Sequence, residues 1–331
     1  MVEQHDASYF ELLQCPKCSG SLTPSGQDSA GQHTALVCAE QHSIPIVGGI
    51  PRFVDSQQYT ESFGYQWTRF RRIQLDSYNG TNFSRHRFET ITGYTPAQLA
   101  GRLVLDGGCG AGRFADVVMR EYGARLVACD LSAAVEACRD NLAPGMPFVC
   151  QASILDLPFR PQSFDFVYSI GVIQHTPDPE GSIRSLCRMV KQGGQVAIWT
   201  YELNWKCFVG TSGFKYFFRP LSRRLSRARQ LALVDGLSRV CQPLVRLGRR
   251  CGTVGKIFTR MLPVAAAHLH EVDLTDEDLR NWVVLDTFDM YSPSYDSPQR
   301  FDRVARILKS EGFHRIERHP HGGLSITATR Q

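Results

Sequence analysis

Between Arg102 and Thr200 the sequence alternates short apolar runs with segments in which apolar residues recur at helical spacing. Neighbouring parallel strands must be joined by a crossover, which is usually a helix and almost always right-handed. The alternation therefore predicts an α/β fold with a doubly wound parallel sheet. The predicted strands are 102–106, 125–130, 148–152, 164–170 and 195–200, and the predicted helices are 112–122, 132–142 and 181–190.

A glycine-rich loop, D-G-G-C-G-A-G at 106–112, follows the first predicted strand. The nicotinamide-dinucleotide fingerprint G-x-G-x-x-G fails here, because Arg113 stands where its last glycine would be. What remains is D-x-G-x-G-x-G, with a second acid, Asp130, ending the next predicted strand. Glycine lets a ligand approach the backbone closely, and one carboxylate can accept two hydrogen bonds, so the pattern predicts a ligand cradle.

This pattern resembles motif I of the class I S-adenosylmethionine-dependent methyltransferases. Matching segments follow in order: Q-A-S-I-L-D-L-P-F at 151–159, F-D-F-V-Y-S-I-G-V-I-Q-H at 164–175 and V-K-Q-G-G-Q at 190–195. The resemblance covers about residues 99–202 and 281–331, and it implies a Rossmann-like methyltransferase sheet and methyl transfer from S-adenosyl-L-methionine.

The resemblance also implies a set of cofactor-binding residues. In the family, the glycine loop approaches the methionine part of the cofactor, and the acid at Asp130 receives the ribose hydroxyls. Ser153 stands where the family often has an acid beside the adenine amino group. The implied cofactor-binding residues are Asp106, Gly107, Gly108, Gly110, Gly112, Arg113, Asp130, Leu131, Ser153, Ile154 and Ser169.

His175 comes just after the fourth predicted strand, at the sheet edge where ligands gather. Histidine titrates near neutral pH, so His175 is the candidate general base for a hydroxyl acceptor. The alternative is a structural histidine, hydrogen-bonded in the cofactor wall. No N-P-P-Y, D-P-P-Y or Pro-Cys motif follows Ser169, which argues against methylation of exocyclic base amines and against a covalent cysteine mechanism.

Two aromatic segments are expected to close the site. The first is E-S-F-G-Y-Q-W-T-R-F at 61–70, followed by a predicted lid helix over 85–92. The second, 282–293, combines aromatic residues, acids and a turn, and its candidate polar groups are Asp286, Asp289 and Tyr291. Plain core packing is the alternative for both segments.

Three of the eleven cysteines form a pattern near the N-terminus, Cys15-x-x-Cys18 and then Cys38 with His42. Two thiolates on one tight turn and a Cys/His pair on another suit tetrahedral structural zinc. His33 is the rival fourth ligand. Residues 19–37 between the pairs read as a loop or hairpin. The segment 12–54 resembles the zinc ribbon of certain bacterial ribosomal RNA guanine methyltransferases and of small methyltransferase activators.

The other eight cysteines stand singly, mostly within apolar stretches, and are expected to be buried fillers. They are Cys109, Cys129, Cys138, Cys150, Cys187, Cys207, Cys241 and Cys251.

The net charge of +5 conceals a strong asymmetry. Residues 215–260 hold twelve Lys or Arg and one acid, Asp235, a net charge of +11, so the remainder of the chain carries −6. Apolar residues recur there at helical spacing. Such basic amphipathic helices suit an anionic membrane surface or a phosphate-bearing ligand. A lid whose arginines are solvated or paired is one alternative, and single-stranded RNA is another.

These patterns predict five parts: a zinc ribbon (1–58), an aromatic helical lid (59–98), the cofactor-binding core (99–202), a basic helical insertion after the fifth strand (203–280) and the C-terminal part of the core (281–331). A helix over 298–311 and strands over 314–319 and 324–330 are expected to complete the sheet.

The predicted function is methyl transfer to an oxygen or nitrogen of a small-molecule, sugar or lipid-linked acceptor. An RNA methyltransferase and a non-catalytic cofactor-binding partner are the alternatives. The N-terminal segment lacks a basic, apolar signal, and no apolar run reaches the length of a membrane span. We therefore expect a cytoplasmic protein, with peripheral association at the inner membrane face as a further possibility.

Overall fold

The computed structural model describes residues 7–54, 61–143, 145, 147–208, 210–266, 269, 273–320 and 322–331. The side chains of 61–63 and 68, which belong to the first predicted aromatic cover, lie outside the described part. The predicted boundary at 58–59 also lies outside it.

The N-terminal segment forms a four-stranded antiparallel sheet with the strand order β1-β2-β3-β4. Its strands are β1 (Thr23–Gln27), β2 (His33–Val37), β3 (Ser43–Val47) and β4 (Ile50–Pro51). Strands β1 and β2 form a hairpin that occupies most of the stretch between the two cysteine motifs. Of the two expectations for residues 19–37, a loop or a hairpin, the structure contains the hairpin.

A seven-stranded sheet forms the centre of the molecule, with the order β10-β11-β9-β8-β5-β6-β7. Strands β5 to β9 pair in parallel, and β11 runs antiparallel to both of its neighbours. The strands are β5 (Leu103–Gly107), β6 (Arg125–Asp130), β7 (Phe148–Gln151), β8 (Phe164–Ile170), β9 (Val190–Thr200), β10 (Phe313–His319) and β11 (Leu324–Arg330). The predicted α/β class and its mostly parallel sheet are confirmed.

Twelve α-helices occur among the described residues. They are α1 (Glu61–Arg69), α2 (Asp76–Asn79), α3 (Phe83–Thr92), α4 (Pro96–Leu99), α5 (Arg113–Arg120), α6 (Ala134–Leu142), α7 (Pro179–Met189), α8 (Gly210–Ser222), α9 (Arg227–Arg250), α10 (Gly252–Thr259), α11 (Asp276–Tyr291) and α12 (Phe301–Ser310).

Two elements differ from the sequence-based expectation. Strand β9 begins at Val190, before the predicted start at 195, because Gly193 (φ +72°) bends the strand there without ending it.

The segment 282–293 is mostly helical, since α11 runs to Tyr291. Thr275 caps α11 by accepting a hydrogen bond from the Asp278 backbone N–H, and three acids in the first turn favour the positive end of the helix. The predicted boundary at 280–281 therefore falls inside this helix.

The N-terminal sheet and the central sheet share one hydrophobic core. Tyr9 stacks on Phe148 of β7, with 5.7 Å between ring centroids. Leu13, fully buried, forms a β-bridge with Phe159. The backbone N–H of Phe53 donates to the Gln151 carbonyl at the end of β7. The N-terminal sheet is thus fastened to the β7 edge by apolar packing and by backbone hydrogen bonds.

Helices α8 to α10 and the start of α11 occupy the region predicted as an insertion. Helix α9 packs along α11, and α9 and α10 cross where Gly248 faces Gly255 so closely that a Cβ on Gly255 would overlap the Gly248 carbonyl. No helix in the described part of the chain has both the length and the apolar character needed to cross a bilayer.

Six of the eight scattered cysteines are buried, as expected for fillers. The expectation is wrong for Cys251, which is exposed between α9 and α10, and Cys207 is only half-buried.

Candidate active site

The glycine loop lies between β5 and α5, at the carboxyl end of the sheet. Gly108, Gly110 and Gly112 have φ values of 93°, 53° and 91°, which L-residues with a side chain rarely adopt. A Cβ on Gly108 would overlap the Val172 side chain, and a Cβ on Gly110 would lie 3.2 Å from the Trp67 indole nitrogen. The loop therefore needs glycine for its conformation and for close packing.

Asp130, at the end of β6, reaches back to this loop. Its Oδ2 accepts a hydrogen bond from the Gly110 backbone N–H at 2.9 Å. Its Oδ1 accepts from the backbone N–H and the hydroxyl of Ser132, at 2.8 and 2.7 Å. Burial raises the pKa of Asp130, and these hydrogen bonds oppose the rise. Because a carboxylate has about four acceptor positions, Asp130 keeps capacity for a ligand.

Asp106 lies beneath the loop and faces the protein interior. It is buried, and its Oδ2 accepts a hydrogen bond from the Tyr168 hydroxyl at 2.9 Å. Burial raises its pKa to about 8, while the Tyr168 bond opposes the rise. Ser169, also buried, donates to the Gly107 carbonyl at 2.7 Å. Both side chains fasten β5 to β8.

The predicted adenine side of the site is mostly apolar. Leu131 and Ile154 are buried, and the Leu131 carbonyl accepts a hydrogen bond from the Gln151 amide at 2.9 Å. The Ser153 hydroxyl accepts from the Leu155 backbone N–H at 3.2 Å. A hydroxyl can also donate, so Ser153 retains a hydrogen-bonding group at this wall.

Arg113 begins α5 directly after the loop. Its guanidinium carbon lies 5.3 Å from the ring centre of Trp282 on α11, and Nε donates to the Ser84 hydroxyl at 3.0 Å. Burial and then the nearby charge of Arg87 lower its pKa to about 9, so Arg113 stays protonated at neutral pH. The side chain thus brings a positive charge to the edge of the loop.

Helix α1 covers the glycine loop from above. Gly64 packs against the start of α6, where a Cβ would lie 3.5 Å from the Ala133 nitrogen, and Trp67 contacts Gly110. Gln66, almost fully buried, donates to Asp289 Oδ1 of α11 at 3.3 Å. Helix α1 therefore links the loop to α11.

His175 lies in a short 3₁₀ helix after β8 and is buried. Its Nδ1 is 2.9 Å from the Tyr295 carbonyl oxygen, so the neutral ring carries its proton on Nδ1 and its lone pair on Nε2. The Tyr201 ring meets it edge-on, with 5.5 Å between ring centroids. Burial lowers the His175 pKa, and the charge of Asp289 opposes the shift. The ring is therefore neutral at pH 7.

Two acids of α11 face the same region. Burial raises the pKa of Asp289, whereas His175 lowers it. Asp286, one turn earlier, accepts a hydrogen bond from the Gln74 amide at 3.1 Å, and its charge acts on both Arg87 and Arg113. We call the region bounded by Gln66, Gln174, His175, Tyr201, Asp286 and Asp289 the polar chamber. The third candidate, Tyr291, lies apart from it and donates to the Pro263 carbonyl.

A buried ion-pair cluster adjoins the polar chamber. Asp296 pairs with Lys215 at 2.8 Å and with Arg219 at 2.9 Å, both on α8. Burial alone would raise the Asp296 pKa, but the two cations outweigh burial and lower it. The Lys215 ammonium also lies 4.5 Å from the Tyr201 ring centre. Sequence reasoning missed this cluster; the i, i+4 spacing of Lys215 and Arg219 was its only local signal.

Several buried polar atoms around the loop and the chamber have no hydrogen-bond partner among the described residues. They are Gln66 Oε1, Arg113 Nη2 and Gln174 Nε2. Native proteins rarely leave such atoms unpaired, because each costs about 1–3 kcal/mol. Water or a ligand can supply the missing partners of these three atoms.

A separate cluster in the N-terminal sheet combines Cys15, Cys18, Cys38 and His42, whose ligand atoms all lie within 4.8 Å of one another. Cys18 Sγ and Cys38 Sγ are 3.6 Å apart, and His42 Nδ1 is 3.5 Å from the sulfurs of Cys15 and Cys38. Both turns contain a residue with positive φ, Ser19 or Gln41. His33 is outside the cluster.

Comparison with known proteins gives a consistent picture. Residues 105–198 match a family model described as a methyltransferase domain. The ubiquinone biosynthesis O-methyltransferase of Pseudomonas fluorescens (strain Pf-5) is 31% identical over 171 residues, which cover 45% of this chain and 72% of the relative. The protein of the same name from Pseudomonas syringae pv. tomato is 35% identical over 143 residues, which cover 38% of this chain and 61% of the relative.

Among solved structures, the Haemonchus contortus phosphoethanolamine N-methyltransferase 2 in complex with S-adenosyl-L-methionine is similar at 18% identity, with a TM-score of 0.40. The match covers 71% of this chain and 37% of that one.

The raised pKa of Asp106 makes a prediction about stability. Folding raises the pKa of the Asp106 carboxyl from 3.8 to about 8, so protonated Asp106 makes its full contribution to the free energy of unfolding below pH 4. This contribution falls as the pH rises above 4 and is lost once the pH has passed 8. We expect Asp106→Asn to reduce the fall in unfolding free energy between pH 5 and 7 by about 1.4 kcal/mol per pH unit. Urea unfolding of the cofactor-free protein measures this, with the exposed Asp302→Asn on α12 as control. Equal pH slopes in both variants would contradict the assignment.

Proposed function

The chain belongs to the class I S-adenosylmethionine-dependent methyltransferases, and we propose that it methylates a hydroxyl oxygen of a small-molecule acceptor held in the polar chamber. The observation that carries this proposal is His175, which is buried at the carboxyl end of β8 with its Nδ1 2.9 Å from the Tyr295 carbonyl oxygen. A hydroxyl, unlike an amine, needs a base to become a good nucleophile at neutral pH. The relatives named as O-methyltransferases agree with oxygen as the acceptor atom.

The residues around the glycine loop fit S-adenosyl-L-methionine. When bound, this cofactor supplies an electrophilic methyl group on a sulfonium. Gly108, Gly110 and Gly112 allow the left-handed conformation of the loop, and we assign the remaining acceptor position of Asp130 to a ribose hydroxyl. The buried Arg113 Nη2, which has no partner among the described residues, suits the cofactor carboxylate. Leu131 and Ile154 provide apolar walls, and Ser153 a polar group, for the adenine.

Asp106 and Ser169 act differently from the other residues implied by the resemblance. Their side chains hold β5 and β8 together through Tyr168 and Gly107. We therefore assign them to positioning of the loop.

His175 acts as the general base in this proposal. Its Nδ1–H donates to the Tyr295 carbonyl, which fixes the ring and leaves Nε2 to take a proton from the acceptor hydroxyl. The nearby carboxylate of Asp289 stabilises the imidazolium that results. The Gln174 amide, buried and without a partner among the described residues, is available to orient the acceptor.

The acceptor is proposed to be a small molecule, with sugar and lipid-linked molecules as specific classes. RNA is the weaker candidate, because part of the basic charge that would bind phosphates is paired with acids. Lys215 and Arg219 face Asp296, and Arg246 pairs with Asp276. If RNA were the substrate, its affinity would fall steeply with salt concentration.

We also propose that the N-terminal cluster holds a structural zinc ion. Zinc–sulfur bonds of about 2.3 Å and zinc–nitrogen bonds of about 2.0 Å give tetrahedral edges of about 3.8 Å between sulfurs and about 3.5 Å between sulfur and nitrogen. The distances of 3.6 and 3.5 Å within the cluster agree with this geometry. His42, and not His33, is the fourth ligand in this proposal.

The cofactor assignment predicts the effect of Asp130 substitutions. Asp130→Ala removes the acceptor for the ribose, so we expect the affinity for S-adenosyl-L-methionine to fall about 10–100-fold, since one hydrogen bond to a charged group is lost. Isothermal titration calorimetry measures this, with Asp302→Ala as the matched control. Asp130→Asn, which keeps one acceptor oxygen, should lie between the two. Unchanged affinity in a folded Asp130→Ala protein would refute the assignment.

The proposed base makes a prediction about methyl transfer. His175→Ala should lower kcat about 10²–10³-fold and leave cofactor affinity unchanged, because the base is lost but the loop is intact. In the wild type, kcat/KM should be flat above pH 7 and should fall only below about pH 6.5, since burial lowers the pKa of His175.

The measurement uses methyl-labelled cofactor with small-molecule extract fractions, and then with the acceptor isolated from them. His86→Ala, an exposed histidine on α3, is the control. A His175→Ala protein with normal kcat would leave His175 a structural residue. Labelling confined to nitrogen atoms would contradict the hydroxyl acceptor.

The zinc proposal predicts the metal content. The purified protein should hold about one zinc per chain by elemental analysis, and Cys15→Ser should lose most of it, because three ligands bind much more weakly than four. Cys251→Ser, the exposed cysteine between α9 and α10, should retain the metal. Zinc-free protein with unchanged thermal stability would contradict the proposal.

A further inference from the structure

Large apolar side chains are exposed on the insertion to a degree seen nowhere else among the described residues. Of the sixteen exposed large hydrophobic residues, twelve lie within 203–280. Eight of them lie on α9, on α10 or just after the end of α10, and we call this set the α9–α10 stripe. It consists of Leu233, Val240, Leu244, Leu247, Val254, Ile257, Phe258 and Met261.

The spacing of these residues makes the α9 part a continuous line. Val240, Leu244 and Leu247 follow one another at four and three residues, so they lie on one face of the helix. The opposite face of α9, including Val234, Cys241 and Val245, is buried against α11 and its surroundings. The exposed line is therefore a second apolar face, which packing within the chain does not use.

Helix α10 extends this surface. Gly248 and Gly255 bring the two helices into close contact directly after the turn at Cys251. Val254 is 74% exposed and Ile257 is 59% exposed. They flank this crossing together with Leu247, so the stripe continues from one helix to the next.

Positive charge surrounds the stripe. Between Gly236 and Ala266 the sequence contains no acid and six basic residues: Arg239, Arg246, Arg249, Arg250, Lys256 and Arg260. Arg239 pairs with Asp235 and Arg246 pairs with Asp276, both acids outside that segment. The segment itself carries six positive charges and no negative charge, which gives this pair of helices a local positive field.

We propose that the α9–α10 stripe lies on an anionic phospholipid bilayer. Apolar side chains at the surface of a basic helix enter the acyl boundary, and neighbouring arginines reach the phosphates. A second copy of this chain is disfavoured as the occupant, since a two-fold contact would place the basic segment of one copy against the basic segment of the other. A nucleic acid would satisfy the charges and leave Val254, Ile257 and Phe258 exposed. A bilayer of negative charge matches both properties of the surface.

The experiment is flotation of the full chain with lipid vesicles. Vesicles of phosphatidylcholine with one quarter phosphatidylglycerol should retain at least about tenfold more protein than pure phosphatidylcholine, and 0.5 M salt should remove most of this difference. Val254→Asp with Ile257→Asp should lower binding at least about tenfold. Val47→Asp, at an exposed apolar site on β3, should have no effect.

A charge variant separates electrostatics from apolar contact. Arg250→Glu should weaken binding to the anionic vesicles and leave the thermal stability unchanged, whereas Arg102→Glu, at an exposed arginine outside the insertion, should bind normally. Failure of the wild type to float overturns the proposal. So does a dimer, seen by light scattering, that Val254→Asp with Ile257→Asp dissociates. Neither result depends on methyl transfer, so the membrane proposal can fail while the proposed function stands.

Discussion

The hydrogen bond from the Gly110 backbone N–H to Asp130 joins the ends of β5 and β6 across the glycine loop. The rest of the candidate site depends on this contact. It holds the loop in the left-handed conformations that only glycine adopts freely. Asp106 and Ser169 support the loop from below, and α1 covers it from above. One buried carboxylate thereby sets the distance between the two halves of the cofactor cradle.

The local parts of this arrangement could be predicted from the sequence. Strands β6, β8 and β11 have the predicted bounds, because short apolar runs flanked by turns carry their own signal. The glycine loop and Asp130 could also be predicted, because they stand at the ends of two of the predicted strands. Only part of the polar chamber could be predicted from the sequence. His175, Asp286 and Asp289 stood out as polar residues in apolar or aromatic segments, whereas Tyr291 faces elsewhere.

The remainder depends on contacts between distant segments. Asp296 follows an irregular stretch, and its pairing with Lys215 and Arg219 exists only because α8 folds back against the end of α11. Helix α11 could not be recognised in the sequence, because its apolar residues are buried on several sides of the helix and show little helical periodicity. Helix α8 of the insertion reverses the usual burial pattern: its cations Lys215 and Arg219 are buried, whereas the apolar Phe217 is exposed.

The N-terminal sheet connects the cluster of Cys15, Cys18, Cys38 and His42 to the glycine loop. Arg52, next to β4, donates to the Gln151 side-chain oxygen at 3.1 Å, and the amide nitrogen of the same Gln151 donates to the Leu131 carbonyl. Leu131 directly follows Asp130. Gln151 therefore links the N-terminal sheet to the residue beside Asp130. The N-terminal sheet braces the β7 edge of the central sheet. The geometry of the glycine loop therefore depends on the N-terminal sheet being folded.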